Sequence, residues 1–386
     1  MSDLIKVKRA LVSVYDKTGL IDLARTLAKY DVEILSTGGT LAALKKENVH
    51  AVSVSTFTGA PEILGGRVKT LHPKVHAGIL YRRDNEEDCA ELTRQEYKTI
   101  DMVVVNLYPF EKTVTELKAT ESEIIENIDI GGPTMVRAAA KNFAGVIVVT
   151  TPEDYSRVTE ELEKNDGATS LEFRKSLAGR AFDLTNRYDR AISNYFAFGR
   201  HESEDQFPPR LDVSFSLKSS LRYGENPHQK GAFYSDEQFK GPSLRNAQVL
   251  SGKALSYNNL ADLDATLDML LDFDEPFACV VKHANPCGAA AGKTIADAYR
   301  DALASDPLSA FGSIIGLNKL VDLDAARLIH ETHFVECVLA PGYDDEALAL
   351  MKKKKNRRLL ALPEIAHGRP RGEMVYKYVR GGVLFQ

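Results

Sequence analysis

Within the first 150 residues, short apolar runs alternate with segments whose apolar residues recur at helical spacing. Ala10 to Val14 reads as a buried strand, and Leu20, Leu23, Ala24 and Leu27 follow at the period of a helix. Val32 to Leu35, a helix from about Thr40, Ala51 to Val54, Met102 to Leu107 and Gly145 to Thr150 continue the rhythm. This is the α/β pattern of a parallel sheet covered by helices on both faces. Ligands of such sheets sit outside the C-terminal ends of the strands, so the loops there should carry the chemistry.

At 386 residues the chain has room for two ordinary domains. From Ser170 to Phe198, apolar or packing residues at Leu177, Phe182, Thr185, Tyr188, Ile192 and Tyr195 indicate long helical packing. The polar stretch Gly199 to Asp212, with a Pro pair near its end, marks the domain boundary. Beyond it strand and helix signals mix without regular alternation, and no repeat is evident at solenoid periods. Lys352 to Arg358 reads as a solvated helix end.

With 49 basic against 54 acidic residues, net −5, the chain lacks the footprint of a nucleic-acid binder. It has no apolar run of about 18 residues, and its N-terminus lacks a signal peptide's apolar core. A cytoplasmic protein without a membrane partner is expected. Cys89, Cys279, Cys287 and Cys337 lie far apart without a C-x-x-C, so they read as reduced thiols rather than disulfides or zinc ligands.

Ser36-Thr37-Gly38-Gly39-Thr40 stands between a strand and a helix. Glycines let backbone approach an anion, and free N–H groups at a helix N-terminus point at it. The stretch is therefore a phosphate-site candidate or an ordinary N-capped turn, and it matches neither the P-loop nor the dinucleotide fingerprint. "GGRVKTLHPKVHAG", Gly65 to Gly78, packs Arg67, Lys69 and Lys74 between glycines. His72 and His76 have the spacing of two helical metal ligands, but Pro73 intervenes and no carboxylate motif accompanies them, so an anionic substrate suits the stretch better than a metal. A bland basic loop is the alternative.

"NLYPF" closes an apolar strand and leaves Asn106 and Tyr108 at its C-terminal end. "NIDIGGPTMVRAAAKN" places Asp129 before a Gly pair and Lys141 a dozen residues later. An acid, two lysines and a phenol near one phosphate loop would make a proton-transfer and oxyanion site. In the second half, "SLRYGENPHQ", "KHANPCG" and "SDPLSAFG" are the dense stretches. Arg222 can hold a phosphate or carboxylate bidentately. His283 suits a base near neutral pH, with Lys282 stabilising negative charge beside it. Against that pairing, adjacent residues on a strand point to opposite faces.

Together these stretches resemble the bifunctional purine-biosynthesis enzymes that combine aminoimidazole-carboxamide ribonucleotide transformylase with IMP cyclohydrolase. "SVYDKTGL", "STGGT", "GGRVKTLHP", "NLYPF", "NIDIGGPTMVRAAAKN", "LRYGENPHQ", "KHANPCG", "SDPLSAFG" and "KKKKNRRLL" occur in that family's order, from Ala10 to about Gln386. The resemblance implies a methylglyoxal-synthase-like cyclohydrolase domain over residues 1–199 and a linker over 200–212. Residues 213–386 would then be the N-terminal part of an α+β, cytidine-deaminase-like formyltransferase domain. Methylglyoxal synthase itself shares the first domain's fold, but the second domain and "NIDIGG" argue against it.

By the same resemblance Lys69, Tyr108, Asp129 and Lys141 line the ring-closing centre. Ser13, Lys17, Ser36, Thr37, Gly38, Gly39, Thr40, Arg67, Thr70 and Asn106 hold the nucleotide. In the second domain His283 shuttles a proton, Lys282 stabilises an oxyanion, and Arg222, Tyr223, Gly312 and Glu336 bind the ribonucleotide. The cosubstrate implied is 10-formyltetrahydrofolate, with no metal, and the assembly implied is a homodimer acting on purine ribonucleotides. Tyr15 stands where many family members have a small Ser. The family continues beyond the position of Gln386, so formyl transfer by these 386 residues alone is expected to be impaired while ring closure is intact. The alternative is a purine-nucleotide-binding fragment or variant without transformylase activity.

Overall fold

The computed structural model describes residues 3–116, 119–199, 211, 213–236 and 239–386. The chain divides into two compact units, Met1–Pro209 and Arg210–Gln386. The linker expected at 200–212 lies, except for Leu211, outside the described residues.

In the first unit, strands β1 (Arg9–Val14), β2 (Glu33–Ser36), β3 (Val52–Ser53), β4 (Met102–Asn106) and β5 (Ile147–Val149) form one sheet in the order β3-β2-β1-β4-β5. Every pairing is parallel. Successive strand residues face opposite sides, which is why the strands read as continuous apolar runs: Val12 and Val104 pack into one core, Leu11, Val103 and Val105 into the other. Helix α1 (Leu20–Lys29) buries Leu20, Leu23, Ala24 and Leu27 on the first face. Helix α2 (Gly38–Lys46) follows β2 directly. On the second face, helix α3 (Gly131–Lys141) packs beside α4 (Leu171–Phe198), which carries the expected long helical stretch. Arg174, buried on α4, donates from Nε to Phe143 O at 2.9 Å and from Nη2 to Ala144 O at 3.0 Å, which ties α4 to the turn that enters β5. The strand order reverses between β1 and β4, and a crevice opens outside their C-terminal ends at such a reversal.

The second unit is mixed α/β. Strands β6 (Gln248–Ser251), β7 (Phe277–Lys282), β8 (Asn285–Ala291), β9 (Ser313–Leu317), β10 (Val335–Ala340) and β11 (Arg358–Ala361) pair in the order β6-β11-β10-β9-β7-β8. The three strands β9, β10 and β11 run parallel, and β7 is antiparallel to both its neighbours. Helix α5 (Tyr257–Leu270) covers one face, placing Leu263, Leu267 and Leu270 in the core with Val281 and Leu339.

The run Lys352 to Arg358 is not the solvated helix end that its charge suggests. Its last two residues are buried: Arg357 donates to Ile329 O at 3.0 Å, and Arg358 opens strand β11 and pairs with Glu336 at 2.6 Å. A guanidinium can enter a core when carbonyl and carboxylate oxygens take its protons, and the charge run alone does not show that such partners exist.

Candidate active sites

The candidate site of the first unit is built from the loops that leave β1, β2 and β4. Asn106, the last residue of β4, accepts at Oδ1 from the N–H groups of Tyr15 (2.6 Å) and Asp16 (2.9 Å), and its Nδ2 donates to Asp16 O at 3.1 Å. It thereby brackets the turn that carries Tyr15 and Lys17. Where β2 passes into α2, two hydroxyls serve the fold: Ser36 donates to Val12 O at 2.7 Å, and Thr40 both accepts from Val14 N and donates to Val14 O at 2.9 Å. Ser13 and Thr37 hydrogen-bond each other across the two loops at 3.1 Å.

Gly38 begins α2 with φ +44°, a left-handed value that favours glycine. A side chain there would start 3.7 Å from Lys69 Nζ, and one on Gly39 would start 3.9 Å from Lys17 Nζ. Two ammonium groups therefore stand over the N-terminus of α2, where unpaired backbone N–H groups already favour an anion.

Asp129 forms the other wall. Its N–H donates to Tyr188 Oη at 2.8 Å, Tyr188 donates on to Asn127 O at 3.1 Å, and its Oδ1 accepts from Gly132 N at 2.8 Å. Burial pushes the Asp129 carboxyl above the usual carboxylate range, against the pull of the Gly132 and Tyr108 N–H groups and the charge of Lys69. Lys69 thus links the anion cradle at α2 to the half-buried acid. The Tyr108 ring is 40 % exposed and meets Tyr15 edge-on, centroids 6.0 Å apart. Buried Thr70 reaches the N-terminus of α3, where a side chain on Gly131 would start 2.7 Å from its Oγ1. Arg67 lies in an exposed ion pair with Glu126, which solvent screening leaves weak.

Lys141 does not join this group. It ends α3, ten residues and roughly 15 Å of helix beyond Gly131. There it lines a groove of about 680 Å³ with Arg137, Lys175, Leu80 and Phe182. The family resemblance groups Lys141 with Asp129, and within this chain the helix between them holds the two groups apart.

His72 caps the helix Pro73–Leu80 by accepting from Lys74 N at 3.1 Å, and His76 is half-buried, its basicity lowered by desolvation. Among the described residues there is no group of three or more His, Cys, Asp or Glu that could hold a metal ion.

Tyr188 and Gly132 escaped the sequence reading. Tyr188 looked like one more packing residue on a helix, and no local signal marks a partner 59 residues away. Gly132 leaves space for the carboxylate: a Cβ would sit 2.4 Å from Asp129 Oδ2 and 2.8 Å from Leu107 Cδ2. Gly132→Ala is expected to destabilise the first unit by about 1–3 kcal/mol. By displacing Asp129 it should also slow the reaction at this site on the order of a hundredfold. Thermal melts and turnover of the purified variant check both; an unchanged rate would show that the carboxylate tolerates displacement.

In the second unit, Lys282 ends β7 and Asn285 opens β8, so His283 and Ala284 form a two-residue turn. Both have positive φ, 55° and 56°, the pattern of a type I′ hairpin turn. Strand alternation therefore does not govern the Lys282–His283 pair, since only the first is a strand residue. The left-handed region costs a residue with a Cβ roughly 1–2 kcal/mol. Two oxygens support the turn: Ala284 N donates to Asp262 Oδ1 at 2.7 Å, and Asn285 Nδ2 donates to His283 O at 2.9 Å.

Lys282 Nζ donates to Phe311 O at 2.9 Å, beside Gly312, itself left-handed at φ +75°. Register sets Val281 opposite Ile314 and Ser313 beside Val335, so Lys282, Gly312 and Glu336 lie at one end of the sheet. Glu336 is not free, being paired with Arg358. Arg222 is exposed and stacks over the Tyr223 ring, 5.8 Å from its centroid. Their loop is tied to α5 by Asn258, whose Nδ2 donates to Glu225 O at 3.4 Å.

Comparison with known proteins adds to this geometry. Residues 139–386 match the family model described as "AICARFT/IMPCHase bienzyme", and residues 19–134 match "MGS-like domain". The chain is similar to "Bifunctional purine biosynthesis protein PurH" of Rippkaea orientalis, 49% identical over 381 residues, 98% of this chain and 73% of the relative. The proteins of the same name from Acetivibrio thermocellus and Rhodospirillum rubrum are 47% and 48% identical, over 98% and 99% of this chain and 73% and 71% of their own length. A solved chain, "Crystal structure of ForH", is 34% identical and covers 49% of this chain and 99% of its own, with a TM-score of 0.45.

Proposed function

This chain belongs to the AICARFT/IMPCHase bienzyme family, and from that premise we propose how its own residues divide the family's two reactions. The reactions are the last two steps of IMP synthesis, with 10-formyltetrahydrofolate as cosubstrate. The formyl group passes to the 5-amino group of aminoimidazole-carboxamide ribonucleotide, and the product closes its ring with loss of water. A nucleotide-binding fragment without catalysis is not favoured at this degree of identity.

Ring closure is assigned to the first unit. The single observation that carries this is Asp129, a half-buried carboxyl whose desolvation raises its pKa, within the field of a lysine that also stands at the N-terminus of α2. Lys17, Lys69, Ser13, Thr37 and the α2 N–H groups take the ribonucleotide phosphate, and Arg67 exchanges its exposed carboxylate partner for the same anion. The carboxamide nitrogen is a poor nucleophile. It attacks the formyl carbon as one of its protons passes to Asp129, while Lys69 stabilises the carbonyl oxygen and Tyr108 protonates it; the resulting hydroxyl takes the proton held by Asp129 and leaves as water as the formamide nitrogen returns its own proton to Tyr108 and the C=N bond forms.

Formyl transfer is assigned to the second unit. His283 removes the proton of the attacking amine, Lys282 stabilises the tetrahedral oxyanion, and N10 of the folate leaves as an amine once protonated. Arg222, with Tyr223 stacked beneath it, holds the ribonucleotide phosphate, and Gly312 shapes the wall beside Lys282.

A homodimer is part of the proposal, as the family resemblance implies. A cytoplasmic location is supported by four unpaired cysteine thiols. Among the described residues no helix is long and apolar enough to cross a membrane.

A piece comprising residues 1–199 is expected to fold alone and to convert the formamido ribonucleotide to IMP, since it holds every residue assigned to ring closure. Absorbance at the purine band follows the reaction. A folded piece without turnover above background would sink the assignment.

A further inference from the structure

We propose that Asp262 is a positioning residue for formyl transfer: through its hydrogen bond to Ala284 it holds the left-handed turn that presents His283. The inference rests on the reading of His283 as the base. Two-residue turns with both φ values positive are filled most readily by Asn-Gly, Asp-Gly or Gly-Gly, because a Cβ in this region crowds the neighbouring carbonyl. Here the two positions are His and Ala. An imidazole at the first position has chemical value, but neither residue favours the conformation, so the turn needs support from outside itself.

Asp262 supplies that support. Its Oδ1 accepts the Ala284 N–H at 2.7 Å, from a helix 22 residues earlier in the chain. A carboxylate oxygen on a backbone N–H is a short, strong hydrogen bond, and it can form only while the turn keeps its shape. Asn258, one helical turn before Asp262 on the same face of α5, donates to Glu225 O in the loop that carries Arg222 and Tyr223. One face of one helix therefore grips both the loop assigned to the phosphate and the turn assigned to the base. The distance between those two loops sets where the amine lies relative to the imidazole, and catalysis by a positioned base is sensitive to displacements of about 1 Å.

Formylation of the aminoimidazole-carboxamide ribonucleotide by 10-formyltetrahydrofolate, measured in the full-length enzyme, tests this. Asp262→Ala is expected to lower kcat about tenfold to a hundredfold, with KM for the ribonucleotide changed less than about threefold. Asp262→Asn keeps an acceptor oxygen and should retain most of kcat. Ala284→Gly accepts the left-handed conformation readily, so Asp262→Ala should cost less in that background than in the parent. Amide hydrogen exchange at Ala284 gives a readout independent of turnover: the amide should be protected in the parent and in Asp262→Asn, and exposed in Asp262→Ala.

An unchanged kcat in Asp262→Ala, a change confined to KM, or equal costs in the two backgrounds would each overturn the proposal. If Asp262→Ala does not fold, an unprotected Ala284 amide in the parent protein overturns it, and a protected one supports it. A His283→Ala enzyme that keeps its rate would instead overturn the reading beneath it.

Discussion

Asp129→Asn is expected to lower ring closure by about 10²–10⁴-fold, the usual worth of a positioned acid or base, without loss of thermal stability. The two halves of this result share one cause. Burial raises the pKa of the Asp129 carboxyl in the folded protein, so the folded state holds its proton to higher pH than the unfolded chain does. The contribution of such an acid to stability is fully present below its unfolded pKa and is lost as pH rises through the raised folded value. At neutral pH the ionised group thus costs stability, and Asn, which still offers an oxygen to the Gly132 N–H, removes that cost. If the ionised carboxylate is the base, the acid limb of ring closure should lie above the pH of an ordinary aspartate. Lys69→Ala, which removes a charge that pulls the pKa down, should move that limb higher still while cutting the rate by a comparable factor. Rate against pH and melting temperature of both variants decide it; retention of most of the rate, or early unfolding of Asp129→Asn, would refute the assignment.

His283→Ala is expected to remove formyl transfer by about 10²–10⁴-fold while leaving ring closure untouched. Lys282→Ala should approach the same loss by removing positive charge, since Lys282 directly precedes the turn and its ammonium group is anchored on Phe311 O. Because Lys282 ends a strand and His283 stands in a turn, the two side chains escape the opposition that strand alternation would impose. Release of tetrahydrofolate, followed by absorbance in the full-length enzyme, reports the first reaction, and IMP formation from added formamido ribonucleotide reports the second. A variant that lost both activities would point to a folding defect and against a role confined to one site.

The alternation of apolar runs and helical spacing was enough to establish a parallel sheet in the first unit, because burial on both faces leaves a strand no polar side to show. It also pointed to the loops at the C-terminal ends of the strands, where Ser36 to Thr40 and Asn106 to Tyr108 stand, as does the Ser13 to Lys17 segment that only the family resemblance singled out. Residue types and their local order carry this much, since strand and helix periods are properties of neighbouring residues.

Which groups in those loops face inward to the fold was decided only by the tertiary structure. Ser36 and Thr40 bond to β1, Asn106 brackets a turn some 90 residues earlier, and Arg358 finds Glu336 across two strands. Their sequence environment does not distinguish them from Ser13, Thr37 or a solvated lysine. Lys141, grouped with Asp129 by the family resemblance, stands at the far end of a helix from Gly131, because closeness along the chain is not closeness in space once a helix holds the segment straight. Periodicity shows which face of an element is buried, whereas the partner of a buried polar atom is set by which distant segment the fold brings to it. The support of His283 by Asp262, from a helix 22 residues away, belongs to that second kind of information.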